Sequence, residues 1–155
     1  KEDITLFGVS AKYIDALRKT NINFKKKYKL SKLRTICSTG SPLSEDSFNY
    51  AYKNIKKDLH LASISGGTDI VSCFVLGNLY QPVYPGEIQN KGLGMDVRVF
   101  DERGKSITDK KGELVCVNPF PSMPLKFWND KNDNKFKKAY FNKFKNIWHH
   151  GDYAK

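Results

Sequence analysis

LHLASISGGTD, residues Leu59 to Asp69, decides how the chain is read. The run Leu59 to Ile64 is short and apolar, which suits a buried strand. Ser65-Gly66-Gly67-Thr68-Asp69 follows at once, and small flexible residues there predict a tight turn. Gly66 and Gly67 would let the backbone turn and let a ligand approach closely. The Thr68 hydroxyl can bond a phosphate oxygen, and the Asp69 carboxylate suits a hard cation such as Mg²⁺. The same stretch also reads as an ordinary Gly-Gly turn with polar groups in water.

Two further strand–helix passages precede it. Ile4 to Val9 is an apolar run, and Ser10 fits the N-cap of an amphipathic helix reaching about Lys19. Asn21 to Ser31 is polar and lysine-rich, and reads as a surface loop or short helix. Leu33 to Ser38 predicts a second strand. Gly40 makes the turn after it, Pro42 fits the first position of a helix, and Glu45 and Asp46 suit its first turn. Phe48, Ala51, Tyr52 and Ile55 carry that helix to about Lys56. Strand–helix–strand–helix–strand predicts a parallel sheet. Ligands bind beyond the carboxyl ends of such strands, where both glycine turns lie. Neither G-x-G-x-x-G nor G-x-x-x-x-G-K-[ST] occurs, so neither a dinucleotide fold nor a P-loop is indicated.

The character changes after about Tyr80. Pro82, Pro85 and Gly86 interrupt the chain. Met95 to Phe100 alternates like a half-buried strand, Asp101 to Gly104 reads as a hairpin turn with Lys105 to Thr108 returning, and Gly112 to Val117 is another strand. The fold class expected is α/β: a parallel-sheet subdomain over residues 1–81, then a small antiparallel sheet or barrel over 82–155. Pro119, Pro121 and Pro124 forbid regular structure, and Phe127-Trp128 is expected to pack an exposed edge. Tyr140, Phe141, Phe144 and Trp148 read either as core or interface packing or as a stacking surface for bases. The chain stops at HHGDYAK without a stop signal, which predicts a piece cut from a longer protein.

The 155 residues carry a net charge of +11, so nucleic-acid and membrane-surface binding must be weighed. The lysines are spread over predicted loops and helix ends, and arginine is confined to Arg18, Arg34, Arg98 and Arg103. A solvated lysine surface is the expectation, with no nucleic-acid partner. No stretch approaches the roughly 20 apolar residues of a membrane span. Cys37, Cys73 and Cys116 lie far apart in apolar contexts, which predicts buried reduced thiols and a cytoplasmic setting. His60, His149 and His150 are not spaced as metal ligands, and packing is the role expected of His150.

The chain resembles the adenylate-forming acyl-activating enzymes, and within them the branch that activates acetoacetate. The resemblance rests on FGVSAKYIDAL, STGSPLS at 38–44, SISGGTDIVSCF at 63–74, PVYPGEIQNKGLGMDVRVFDERGK, GELVC, PFPSMPLKFWND, KAYFNKF and WHHGDYAK, in that order along the chain. It implies an acid–thiol ligase that uses ATP, Mg²⁺ and coenzyme A and releases AMP and pyrophosphate. By the same resemblance, Gly40, Ser41 and Pro42 line the adenine pocket, and Ser65, Gly66 and Gly67 lie between adenine and acyl group. Thr68 contacts the α-phosphate. Asp69 stands where the family has a glutamate near Mg²⁺, so a bridging water is expected to cover its shorter reach. Asp152 holds both ribose hydroxyls. Gly66 replaces a tryptophan of acetate-specific relatives, which leaves room for a longer acid.

The resemblance also implies a phosphate-gripping loop upstream and a mobile domain with a catalytic lysine downstream, both outside these residues. The 155 residues alone are therefore expected to be inactive. A different short- or medium-chain acyl-CoA synthetase stays open as an alternative, as does a luciferase-like or peptide-synthetase adenylation domain. A basic nucleic-acid-binding module stays open as an alternative from another class.

Overall fold

A computed structural model describes residues 3–155; Lys1 and Glu2, the first residues of the subdomain expected over 1–81, lie outside the described residues. The chain falls into two compact units, one made of Lys1–Ser65 with Val75–Asn90 and the other of Gly66–Phe74 with Lys91–Lys155.

The first unit holds the expected parallel sheet. Strands β1 (Leu6–Ser10), β2 (Thr35–Thr39) and β3 (His60–Ser63) lie in the order β1-β2-β3. Phe7 pairs with Ile36, and Ile36 with Leu61. Helix α1 (Ala11–Lys19) follows β1 directly, because the Ser10 hydroxyl accepts the Tyr13 amide at 3.2 Å and supplies the N-cap. A short α2 (Phe24–Lys27) fills part of the lysine-rich stretch. Helix α3 (Glu45–Tyr50) runs on as a π-helical turn, Ala51–Ile55. Ile14, Ile36, Phe48, Ala51 and Leu61 form the centre of this unit's core.

The third helix starts later than its proline predicts. Pro42 lies in the lead-in, and Ser44 is the N-cap, its hydroxyl taking the Ser47 amide at 3.3 Å. The cap oxygen decides the start, while Pro42 only stiffens the approach. Gly40 does turn the chain, with φ +81°.

The glycine pair corrects a larger expectation. Ser65–Gly67 is a short strand, β4, and the turn comes after it, at Thr68 to Val71, before β5 (Ser72–Leu76). Gly66 is needed for close approach: a Cβ there would lie 2.2 Å from the Ser72 carbonyl oxygen and 2.6 Å from the Cys73 Cα. The left-handed backbone falls instead on Val71, with φ +48° and 88 % exposure. A β-branched residue is strained in that region.

After β6 (Asn90–Lys91), the second unit builds an antiparallel sheet from β7 (Val97–Phe100), β8 (Gly112–Cys116) and β9 (Trp148–Ala154), in the order β7-β8-β9. The turn at Asp101 forms as predicted: its carboxylate accepts the amides of Arg103 and Lys105, and Phe100 bridges Ser106. Helix α4 (Asn134–Tyr140) brings the late aromatics together. Trp148, 2 % exposed, stacks on Tyr140 with ring centroids 3.7 Å apart and meets Phe120, Phe136 and Phe141 edge-on. These rings are core. Phe127 joins them through Phe136 and Tyr140, but Trp128, expected to pack an edge, is 91 % exposed.

None of the three cysteines forms a disulfide. Cys116 is buried as expected, whereas Cys37 and Cys73 are only partly covered. Burial pushes the Cys37 and Cys116 thiols above their ordinary range. Among the described residues, no helix is long and apolar enough to cross a membrane.

The close approach at Gly66 carries a stability consequence. Gly66→Ala forces the backbone of Ser72 and Cys73 to move and is expected to cost about 1–3 kcal/mol, as overpacking does. The midpoint of urea denaturation measures it; an unchanged midpoint would contradict the close packing.

Candidate functional site

The second unit brings two separated stretches of sequence together. One is the run Gly66 to Phe74, and the other is the end of β9. Their meeting depends on an irregularity in the β8–β9 pairing. Tyr153 faces Glu113 and His149 faces Val115, so four steps along β9 oppose two along β8. Two extra residues are therefore bulged out of the ladder at His150-Gly151-Asp152. Bulges of this kind re-aim side chains.

His150 uses that freedom to pack on the glycine run. Its Nε2 lies 3.2 Å from the Gly66 carbonyl oxygen and 3.6 Å from an Asp152 carboxylate oxygen. Its ring meets Phe74 edge-on at 4.9 Å. A Cβ on Gly67 would stand 3.3 Å from its Cε1. Packing, the role expected of His150, is therefore only part of what it does.

Asp69 sits on the exposed turn after β4 beside Thr68. One carboxylate oxygen accepts a hydrogen bond from the Tyr140 hydroxyl at 2.5 Å. Burial, and then the bond to Asp69, pushes the Tyr140 phenol up to about 12, so it stays a donor through the neutral range. Tyr140 is fixed by its stack on Trp148. The exposed carboxylate thus hangs from a rigid aromatic anchor.

The predicted site residues divide between the units. Gly66, Gly67, Thr68, Asp69 and Asp152 belong to the second unit. Gly40, Ser41, Pro42 and Ser65 belong to the first, with the Gly40 turn at the carboxyl end of β2. Among the described residues, no three His, Cys, Asp or Glu side chains are grouped to hold a metal. A single exposed carboxylate such as Asp69 still fits Mg²⁺, which keeps several waters and takes its other ligands from phosphates.

Sequence reading missed Glu113. This carboxylate is 5 % exposed on β8, and it accepts bonds from Lys143 and from His149 Nε2, the latter at 2.8 Å. Burial alone would raise its pKa, but the Lys143 ammonium and the His149 ring outweigh that and hold it below the ordinary carboxylate range. The GELVC motif shows the acid but not its partners, which lie 30 and 36 residues away.

The pair sets a pH dependence. A carboxylate whose folded pKa is lowered contributes stability above its unfolded pKa of about 4.3, and loses it as pH falls through the folded value. Glu113→Gln is expected to cost about 1–3 kcal/mol near neutrality, and the difference from wild type should vanish on acidification. Denaturation at pH 7 and at successively lower pH values measures it; a difference independent of pH would contradict the charge argument.

No protein-family model matches the chain. Curated relatives do. The chain is 56 % identical over 153 residues to an acetoacetyl-coenzyme A synthetase of Rhizobium meliloti (strain 1021), covering 99 % of this chain and 24 % of that protein. It is 49 % identical over 152 residues to the acetoacetyl-CoA synthetase of Gallus gallus, covering 98 % and 23 %. The chain therefore spans about a quarter of the length of the curated relatives it matches. Among solved structures, acetoacetyl-CoA synthetase from Streptomyces lividans superposes with a TM-score of 0.88 at 42 % identity, over 97 % of this chain and 24 % of that one. An anthranilate CoA ligase in complex with anthranoyl-AMP superposes with a TM-score of 0.74 at 20 % identity, over 96 % and 27 %, and shares the fold.

Proposed function

We propose, from the premise that this chain belongs to the adenylate-forming acyl-activating enzymes, that its full-length protein joins acetoacetate to coenzyme A at the expense of ATP. The identity to acetoacetyl-CoA synthetases over nearly the whole chain supports the substrate. The observation that carries the site is the meeting of Gly66 with His150 and Asp152 in one unit. Through His150, it supports reading Asp152, proposed for ribose, and Gly66, proposed to lie between adenine and the acyl group, as parts of one site.

The reaction proposed has two steps. A carboxylate oxygen of the acid attacks the α-phosphorus of ATP, the bond to the β-phosphate oxygen breaks, and acyl-AMP and pyrophosphate form. The thiol of coenzyme A then attacks the acyl carbonyl, loses its proton, and expels AMP. The residues named here contribute position and charge rather than covalent chemistry. Thr68 donates its hydroxyl to the α-phosphate. Asp69, steadied by Tyr140, is the residue that would hold Mg²⁺, directly or through water. Bound there, the ion would neutralise phosphate charge. Asp152 accepts both ribose hydroxyls, a task that two carboxylate oxygens suit. Gly40, Ser41 and Pro42 face adenine, and Ser65, Gly66 and Gly67 lie between adenine and the acid.

Gly66 enters this proposal with a changed rationale. The resemblance reads its missing side chain as room for an acid longer than acetate, but the space a Cβ would take is filled by the Ser72 carbonyl and Cys73 Cα, so packing alone demands glycine there. The acid preference therefore rests on the likeness to acetoacetyl-CoA synthetases more than on the missing indole. The rest of the proposal is a subdomain division at 81/82 in the full-length protein, a cytoplasmic setting, small-molecule partners, and lysines that serve as solvated surface.

The test is exchange of labelled pyrophosphate into ATP by the full-length protein, driven in turn by acetoacetate, acetate, butyrate and amino acids. Acetoacetate is expected to drive exchange best, and Asp152→Ala is expected to lower it by at least about tenfold, the loss of a charged hydrogen bond. Exchange driven best by another acid would move the substrate, and no exchange with any acid would overturn the ligase reading.

A further inference from the structure

We infer that His150 is a positioning residue that ties the strand of Gly66 to the carboxylate of Asp152, so that the acyl side and the ribose side of the proposed site are held as one piece. The inference rests on the nucleotide role proposed for Asp152 and adds a residue that this role leaves out.

The chemistry begins with the tautomer. The Gly66 carbonyl can only accept, so the Nε2 that lies 3.2 Å from it carries the hydrogen. The same N–H lies 3.6 Å from an Asp152 oxygen. That is beyond hydrogen-bond range, but the positive end of the N–H dipole still attracts the carboxylate. One imidazole edge therefore faces two acceptors on different stretches of chain. Nδ1 is buried and has no hydrogen-bond partner among the described residues, so the ring is held in place by its other edge and by packing.

The seat is shaped for the ring. Phe74 closes one side edge-on at 4.9 Å. Gly67 leaves room for the ring, since a Cβ there would already press on Cε1 at 3.3 Å. The bulge in β9 then sets Asp152 two residues beyond His150. A displaced ring would release the Asp152 carboxylate from the Gly66 strand without removing either group.

The test uses the full-length protein and AMP alone as the probe. Calorimetric titration is made with wild type, His150→Ala, His150→Gln, Asp152→Asn and the His150→Ala/Asp152→Asn double variant, with thermal midpoints measured alongside. The glutamine amide can supply the N–H that Nε2 supplies. His150→Ala is expected to weaken AMP binding about tenfold, His150→Gln to recover most of it, and the double variant to bind no worse than Asp152→Asn, because His150 acts through Asp152. Unchanged affinity in His150→Ala would overturn the inference. Equal loss in His150→Gln and His150→Ala would also overturn it, since ring packing would then explain the effect, as would additive losses in the double variant. Failure of wild type to bind AMP would instead overturn the nucleotide reading itself.

Discussion

The stack of Tyr140 on Trp148 is the contact that the second unit depends on. Trp148 is the first residue of β9, and Tyr140 is the last of α4. Their rings lie 3.7 Å apart and nearly parallel, 16° from coplanar. Phe74 joins the same cluster through Trp148 at 6.2 Å. Aromatic side chains bury large areas, and each such pair adds about 0.5–1.5 kcal/mol beyond that burial. The cluster thereby fastens helix, strand and the Gly66–Phe74 run together. Both polar contacts of the proposed site are attached to it. Tyr140 reaches Asp69 from one end, and His150, two residues after Trp148, reaches Gly66 from the other.

A rigid apolar anchor under exposed polar groups answers a general need. Thr68, Asp69 and Asp152 are exposed, which leaves them accessible to the charged ligand proposed for them. Exposed side chains wander unless something buried holds them. Here the buried parts are aromatic rings: the Tyr140 hydroxyl bonds Asp69 at 2.5 Å, and the Nε2 of His150, packed on Phe74, lies 3.6 Å from Asp152. The buried Glu113, with Lys143 and His149, plays a separate part. It pins β8 to β9 just beside the bulge, because His149 is the last paired residue before the ladder slips.

Much of the fold was legible in local sequence. The apolar runs before Gly40 and Gly66, the Ser10 cap and the alternation of MDVRVF all placed elements within a few residues. Where the reading slipped, a competing local group won. Ser44 offered a better cap than Pro42 offered a start. The Gly66-Gly67 pair was read as a turn because glycine marks both turns and close backbone approach, and only the pairing with Ser72 and Cys73 separates the two. The real turn uses Val71 in a conformation that its residue type argues against. The candidate site was legible as motifs, through Gly66 to Asp69 and Asp152. The parts that support it were not. Tyr140 lies 71 residues from Asp69 and His150 lies 84 from Gly66, and no periodicity carries information over such distances. The roles of the motif residues toward a nucleotide rest on resemblance, and the geometry adds their neighbours.

Hydrogen exchange of the full-length protein with and without AMP tests the central claim most directly. If Gly66 to Asp69 and His150 to Asp152 serve one nucleotide, AMP will slow exchange of the amides in both stretches together, at the same concentrations. Protection of one stretch without the other, or protection confined to segments outside both, would contradict the account.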